Sequence, residues 1–421
     1  MDQLIGVVGF ILIFTLAIWR SLHMGAVALG IAYIVGTLYF GLRAEDVSAG
    51  FPGQLVITLI GVTYFFGLGR INGTVDRIVE TLVTAVRGRV VLLPWVFFVL
   101  AASIAASGAL TVAVLSILMP IGMAFARTHK INPLLMGLSI INGTNAGGFS
   151  PVAIYYIILS SLFEEHGIII DPIPMFFWTF TGSLVINIVI FFLFGGRDLI
   201  GVRIPPIDPA SATPDDPISD DTTGWTGTQR ITIGIMIAIL IGALAFKLDV
   251  GYMAIIGALI LASLQPQHAQ AGLQQIGWGV VLLIGGMVTY VNLLNTTGVI
   301  ESLAHQVASI GTPLVAALLL LWVSGFITSF ASSNAMFVIL APLSAPLLVQ
   351  GDLPALGFAI ALALAVVPSD CSPFSTAGAL VVANSEEHRR DRVHQRLMIW
   401  AFSLVVATPF LAWVFFVVIP S

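Results

Sequence analysis

Ten apolar stretches follow one another along this chain, at 4–19, 24–42, 54–69, 133–163, 174–196, 231–247, 250–264, 276–295, 354–384 and 397–419. Each reads as a membrane crossing. A bilayer offers no partner to an exposed peptide group, so a chain patterned in this way is confined to helices packed on helices. Composition agrees: 58% of residues are hydrophobic and 9% are charged, which a soluble two-domain enzyme does not show. The opening Met1-Asp2-Gln3 has no basic n-region and no small-residue cleavage site follows, so 4–19 is read as a retained span, not a signal peptide. With a single cysteine, neither an intramolecular disulfide nor a thiolate metal cluster is expected.

Two more apolar stretches, 90–126 and 312–349, are interrupted by small polar residues at 103–111 and 328–334. Both are read as re-entrant hairpins, the rival reading being two full spans each; either choice adds an even number of crossings. The hydrophilic stretch 205–228 carries Pro, Ser, Thr and five Asp, as a flexible linker would.

Sliding the second half over the first exposes a duplication. Pro342 minus Pro120, Ser372 minus Ser150, Pro373 minus Pro151 and Glu386 minus Glu164 all give 222. The expected organisation is a first repeat at 1–203, a linker at 204–229 and a second repeat at 230–421. Amphipathic stretches at 75–86 and 299–310 occupy matching places. Five crossings per repeat is an odd number, so the two copies point in opposite directions. The fold class expected is an all-α polytopic membrane protein of two inverted repeats, each with five spans, one re-entrant hairpin and a broken helix. If the amino terminus lies outside, only Arg43 and Lys247 of the 16 basic residues fall outside and the other 14 fall inside. Both termini are then external and the linker is cytoplasmic.

Inverted repeats with interrupted spans describe a secondary transporter, whose site lies between broken helices. In the first repeat, 142–151 holds Gly143, Gly147, Gly148 and Pro151 and cannot be continuous helix. Its partner is 368–376, with Pro368 and Pro373. Unwound backbone there exposes carbonyls that can bind a cation, such as those of Gly143 and Gly147, and helix N-termini that attract an anion. The side chains of Thr144, Asn145, Ser150, Ser369, Ser372, Ser375 and Thr376 are the candidates for lining the site. Asp370 is the only acid inside a span, and no Lys or Arg joins it. At ~2.5 to 3.5 kcal/mol for burial at such depth, a carboxylate there reads as functional, as a coupling-ion or substrate site.

The order of amphipathic helix, hairpin and broken helix, repeated twice, resembles the ion-transporter superfamily that contains the divalent-anion sodium symporters. The run 143–151 and the Ser332-Ser333-Asn334 tip with Pro342 look most like its malonate and dicarboxylate carrier branch. That resemblance implies a small dicarboxylate such as malonate or succinate as substrate, bound at the second tip and the breaks. It implies sodium ions at Ser333, Asn334 and the helix breaks, and an elevator-type motion in a homodimer. This chain departs from the pattern at the first tip, where the nearest polar residues, and so the cation candidates, are Ser103, Ser107 and Thr111.

A dianion with no fixed cation beside it needs co-bound cations, and carrying it inward against 100 mV costs about 4.6 kcal/mol. Two sodium ions cancel that cost, which favours sodium as coupling ion, with protons second. The rival readings are a cation/proton antiporter built on Asp370 and, from another class, the membrane subunit of a larger complex. The seven His residues sit at loops or span ends, so no transition-metal site is expected. No phosphate-cradling loop, serine-histidine-acid set or nucleic-acid patch is present, so neither an enzyme nor any organic cofactor is expected. The expected setting is a bacterial inner membrane, with bilayer lipid as the remaining partner.

Overall fold

The computed structural model describes residues 2–20, 22–74, 77–78, 89–202, 224–299, 312–329, 333–350 and 353–420. Ser332, most of the linker and almost all of both amphipathic stretches lie outside these residues.

In the first half the α-helices are α1 (Asp2–Trp19), α2 (Met24–Ile34), α3 (Ala44–Ala49), α4 (Gly53–Ile71), α5 (Leu93–Ala106), α6 (Thr111–Thr128), α7 (Pro133–Gly147), α8 (Ile154–Glu164) and α9 (Pro172–Leu193). The second half holds α10 (Gly227–Phe246), α11 (Val250–Leu264), α12 (Pro266–Gln274), α13 (Trp278–Thr296), α14 (Pro313–Thr328), α15 (Ser333–Gln350), α16 (Ala355–Val366), α17 (Thr376–Ala383) and α18 (Arg390–Trp413). Their starts are chemically marked. Asn132 and Asp171 each accept a bond from the second residue of the helix they open, with Pro at the first position of both α7 and α9. Thr226 and Gln229 form a capping box on α10.

Six segments are long and apolar enough to span a bilayer: α4, α6, α9, α13, the run Ala355–Ala383 that includes α16 and α17, and Glu387–Val418 that contains α18. The chain is an integral membrane protein. Ten full crossings were expected from the pattern; the remaining apolar helices are shorter. α6, expected as one arm of a hairpin, is itself 18 residues long.

Packing divides the helices into two main apolar cores. One joins α5, α6 and α7 to α17 and α18, so elements from both halves share it. The other contains α4, α8, α11, α13, α15 and α16. Each interrupted helix changes core at its break, α7 to α8 in the first half and α16 to α17 in the second. Where helices touch most closely, small residues permit it. A Cβ placed on Gly286 of α13 would sit 1.9 Å from the carbonyl oxygen of Gly25 on α2, and one placed on Gly25 would sit 2.0 Å from the Leu282 oxygen.

Gly286→Ala is therefore expected to lower the melting temperature of the purified protein, through over-packing worth about 1–3 kcal/mol. Gly30→Ala, on the same α2 but with no atom within 4 Å of its new Cβ, should leave it nearly unchanged. Equal melting temperatures for both variants would remove the close α2–α13 approach.

Candidate functional site

The site is built where the two interrupted helices meet. In the first half α7 ends at Gly147, and α8 begins only at Ile154. In the second half α16 ends at Val366, a short 3-10 turn covers Pro368–Cys371, and α17 starts at Thr376. Proline cannot donate to a helix ladder, and Pro368 and Pro373 flank this turn. Both interruptions leave peptide groups that need partners away from water. Asn145 supplies one: its amide Nδ2 donates to the Val367 carbonyl at 3.2 Å, joining the first break to the second across 222 residues. That separation equals the 222-residue offset read from the sequence.

Asp370 lies in the 3-10 turn and keeps some exposed surface. The hydroxyl of Ser333, the first residue of α15, donates to its Oδ2 at 2.8 Å. The Ser375 hydroxyl donates to the Asp370 backbone oxygen at 2.6 Å, and its oxygen also caps α17 by accepting from Gly378 N at 3.2 Å. No ion pair among the described residues involves Asp370. The adjacent Asn334 has a buried side-chain oxygen without a hydrogen-bond partner.

Tyr155, on α8, was not among the sequence-expected site residues. It is 2% exposed, and its hydroxyl lies within interaction range of Thr111, Ser333 and Asp370. Its ring packs on Phe337 and Phe149, with centroids 5.5 Å away in each case. The available signal was a Tyr in an apolar helix just beyond Pro151, since an aromatic ring with a polar tip seeks a partner when buried. No repeat counterpart marks it, because position 377 is Ala.

The other expected residues separate into distinct roles. Thr111 opens α6 and joins the Tyr155 cluster. Ser103 and Ser107 instead line a mostly apolar cavity of about 210 Å³ with Phe65, Phe66 and Met236, and Ser107 donates to the Ile104 carbonyl. Thr144 and Ser369 donate back to their own helices, to the carbonyls of Ile140 and Ala365. Ser150 donates to the Ala106 carbonyl, tying the first break to the end of α5. Ser372 accepts from Phe374 N, and Thr376 is exposed at the start of α17. Gly143 and Gly147 press α7 against α5: a Cβ on either would lie 2.2 or 2.1 Å from a carbonyl oxygen of Phe98 or Ala102. Beside the Asp370 carboxylate, which accepts one hydroxyl, the Asn334 amide oxygen has no hydrogen-bond partner. Both are oxygen ligands of the kind a hard cation takes.

Residues 1–148 match the family model described as the N-terminus of the dicarboxylate carrier protein MatC. A solved structure, the YdaH transporter of Alcanivorax borkumensis, superposes over 98% of this chain and 98% of its own, with a TM-score of 0.59 at 13% identity. That likeness concerns the fold alone. A comparison with curated proteins returned no match. The fold is thus that of a solved membrane transporter, and residues 1–148 resemble the N-terminus of a dicarboxylate carrier. The resemblance to the dicarboxylate carriers, read from motifs at 143–151 and 332–342, is met by the family model over residues 1–148 alone.

Removing the Asn145 amide takes one of two donors from the Val367 carbonyl, which keeps the Asp370 N–H at 3.2 Å. Asn145→Ala is expected to cost about 0.5–1.5 kcal/mol, read as a lower melting temperature in detergent. Thr144→Val, which loses only a bond within its own helix, should shift it less. A larger shift for Thr144→Val would mean that the link between breaks contributes little.

Proposed function

We propose that this transporter carries a small dicarboxylate, such as malonate or succinate, by symport with sodium. The observation that supports this reading best is the Asp370 carboxylate held by Ser333 at the crossing of the two breaks, in a chain whose first 148 residues match a dicarboxylate carrier. An ionised Asp370 repels a second anion nearby. A cation bound between Asp370, the Asn334 oxygen and break carbonyls removes that repulsion, and the substrate follows. Cation first and dianion second is the order that makes coupling obligatory. The uncoupled dianion would meet about 4.6 kcal/mol of opposing electrical work at 100 mV.

Ser333, Asn334 and Tyr155 surround the substrate's end of the site, with Thr111 contributed by the first half. In this reading α5–α7, α14–α17 and their breaks form a mobile element of a homodimer that moves in elevator fashion. The basic ends face the cytoplasm, and both termini lie outside. A second reading has Asp370 exchange a proton for a cation without any organic substrate; it rests on Asp370 being the only acid in a span.

Uptake of labelled malonate and succinate into proteoliposomes, under separate sodium, proton or null gradients, tests the proposal. Accumulation with the sodium gradient alone is expected, and Asp370→Asn should abolish or change its sodium dependence. Unaltered sodium and pH dependence in Asp370→Asn would exclude a coupling role for this carboxylate. Sodium flux driven by a proton gradient, with no dicarboxylate uptake, would favour the exchanger.

A further inference from the structure

The start of α7, the loop after α9 and the start of α18 enclose a cavity of about 510 Å³. Lys130, Arg389, Arg392 and Arg396 line it, and Asp198 is the one carboxylate in the lining. Glu386 holds Arg389 at 3.1 Å. Among the described residues, Lys130, Arg392 and Arg396 make no ion pair. Arg392 and Arg396 stand one turn apart on α18, a spacing at which like charges destabilise a helix. The N-terminal end of α7, through Asn132, Pro133 and Leu134, opens into the same cavity and adds the positive end of its dipole. Three uncompensated cations and a helix N-terminus in one concavity favour an anion.

The surroundings decide which anion. Just past Arg396, α18 continues as Leu397, Met398 and Ile399, and Ile399 is 68% exposed. Beside Phe194 and Gly195, which line the cavity, α9 ends in Phe192 and Leu193, the latter 64% exposed, and Arg197 stacks over the Phe192 ring at 4.7 Å. Large apolar side chains left exposed on membrane-spanning helices face lipid tails. The cavity therefore lies where cationic side chains give way to exposed apolar ones on long apolar helices. A soluble dicarboxylate has no use for that apolar flank, whereas a phospholipid fills both parts.

We propose that this cavity binds the phosphate of an anionic phospholipid, with Lys130, Arg392 and Arg396 on the head group and the acyl chains against Phe192, Leu193 and Ile399. Basic pockets between membrane helices are suited to such head groups. The bound lipid would tie the first turn of α7 to the start of α18, elements of the core that also holds α17.

The test is thermal melting of the full-length protein in detergent, titrated in parallel with phosphatidylglycerol, phosphatidylcholine, inorganic phosphate and malonate. Phosphatidylglycerol is expected to raise the melting temperature saturably, and the others to leave it nearly unchanged. In Arg392→Gln/Arg396→Gln the half-saturating phosphatidylglycerol concentration should rise by about 30-fold. Should that double variant fold poorly, Lys130→Gln serves in its place, with an increase of about 5-fold. Equal stabilisation by both lipids, equal stabilisation by inorganic phosphate or malonate, or an unchanged titration in the folded variants would each overturn the proposal.

Discussion

An interrupted helix inside a bilayer must find partners for the peptide groups it releases, and everything around the site of this transporter answers that demand. Water is absent at such depth, and an unpaired buried donor or acceptor costs several kcal/mol. Here the answer is mutual. Asn145 beside the first break bonds the Val367 carbonyl of the second, Ser150 bonds the end of α5, and Ser375 closes the turn that holds Asp370. The breaks are therefore not independent flaws in two helices. Each supplies part of what the other lacks, and Asp370 stands where they meet.

The two-core packing gives this junction its mechanical meaning. α7 and α17 share one core and α8 and α16 the other, so the irregular segments 148–153 and 367–375 carry the chain across the boundary between them. These segments have already lost the helix ladder that makes the regular helices resist bending. Ser333 at the start of α15 and Tyr155 at the start of α8 both reach the Asp370 region. Asp370 is thus surrounded by groups that belong to several elements at once.

Charge is distributed in a complementary way. The described basic side chains gather at helix ends, as at Lys130, Arg389, Arg392 and Arg396, while none is ion-paired to Asp370. A dianion in such a site has only dipoles, hydroxyls and co-bound cations to neutralise it. Under the proposed function, anion affinity at the centre depends on cation occupancy, whereas the basic cavity holds its charge at all times.

Much of this was legible in the residues themselves. Long uncharged runs dictate membrane helices, and a lone acid among apolar residues marks itself by its desolvation cost; the break expected over 142–151 begins only after Gly147, because Gly143 and Gly147 stay helical and pack on α5, while the second break falls at 367–375 as its prolines require. The motif order read along the chain agrees with the carrier match over 1–148. What composition and spacing do not encode is which hydroxyls are free. Thr144 and Ser369 satisfy themselves on their own helices, Gly143 and Gly147 serve close packing on α5, and Ser103 and Ser107 turn toward a separate apolar cavity. Those outcomes depend on helix rotation, which a small polar residue does not reveal. The pairing of Asn145 with Val367, the placement of Tyr155 near Asp370 and the enclosure of Lys130, Arg392 and Arg396 in one cavity join residues tens to hundreds of positions apart. Local pattern determines elements because backbone preference and burial act over a few residues; partners across the chain are chosen only when whole helices pack.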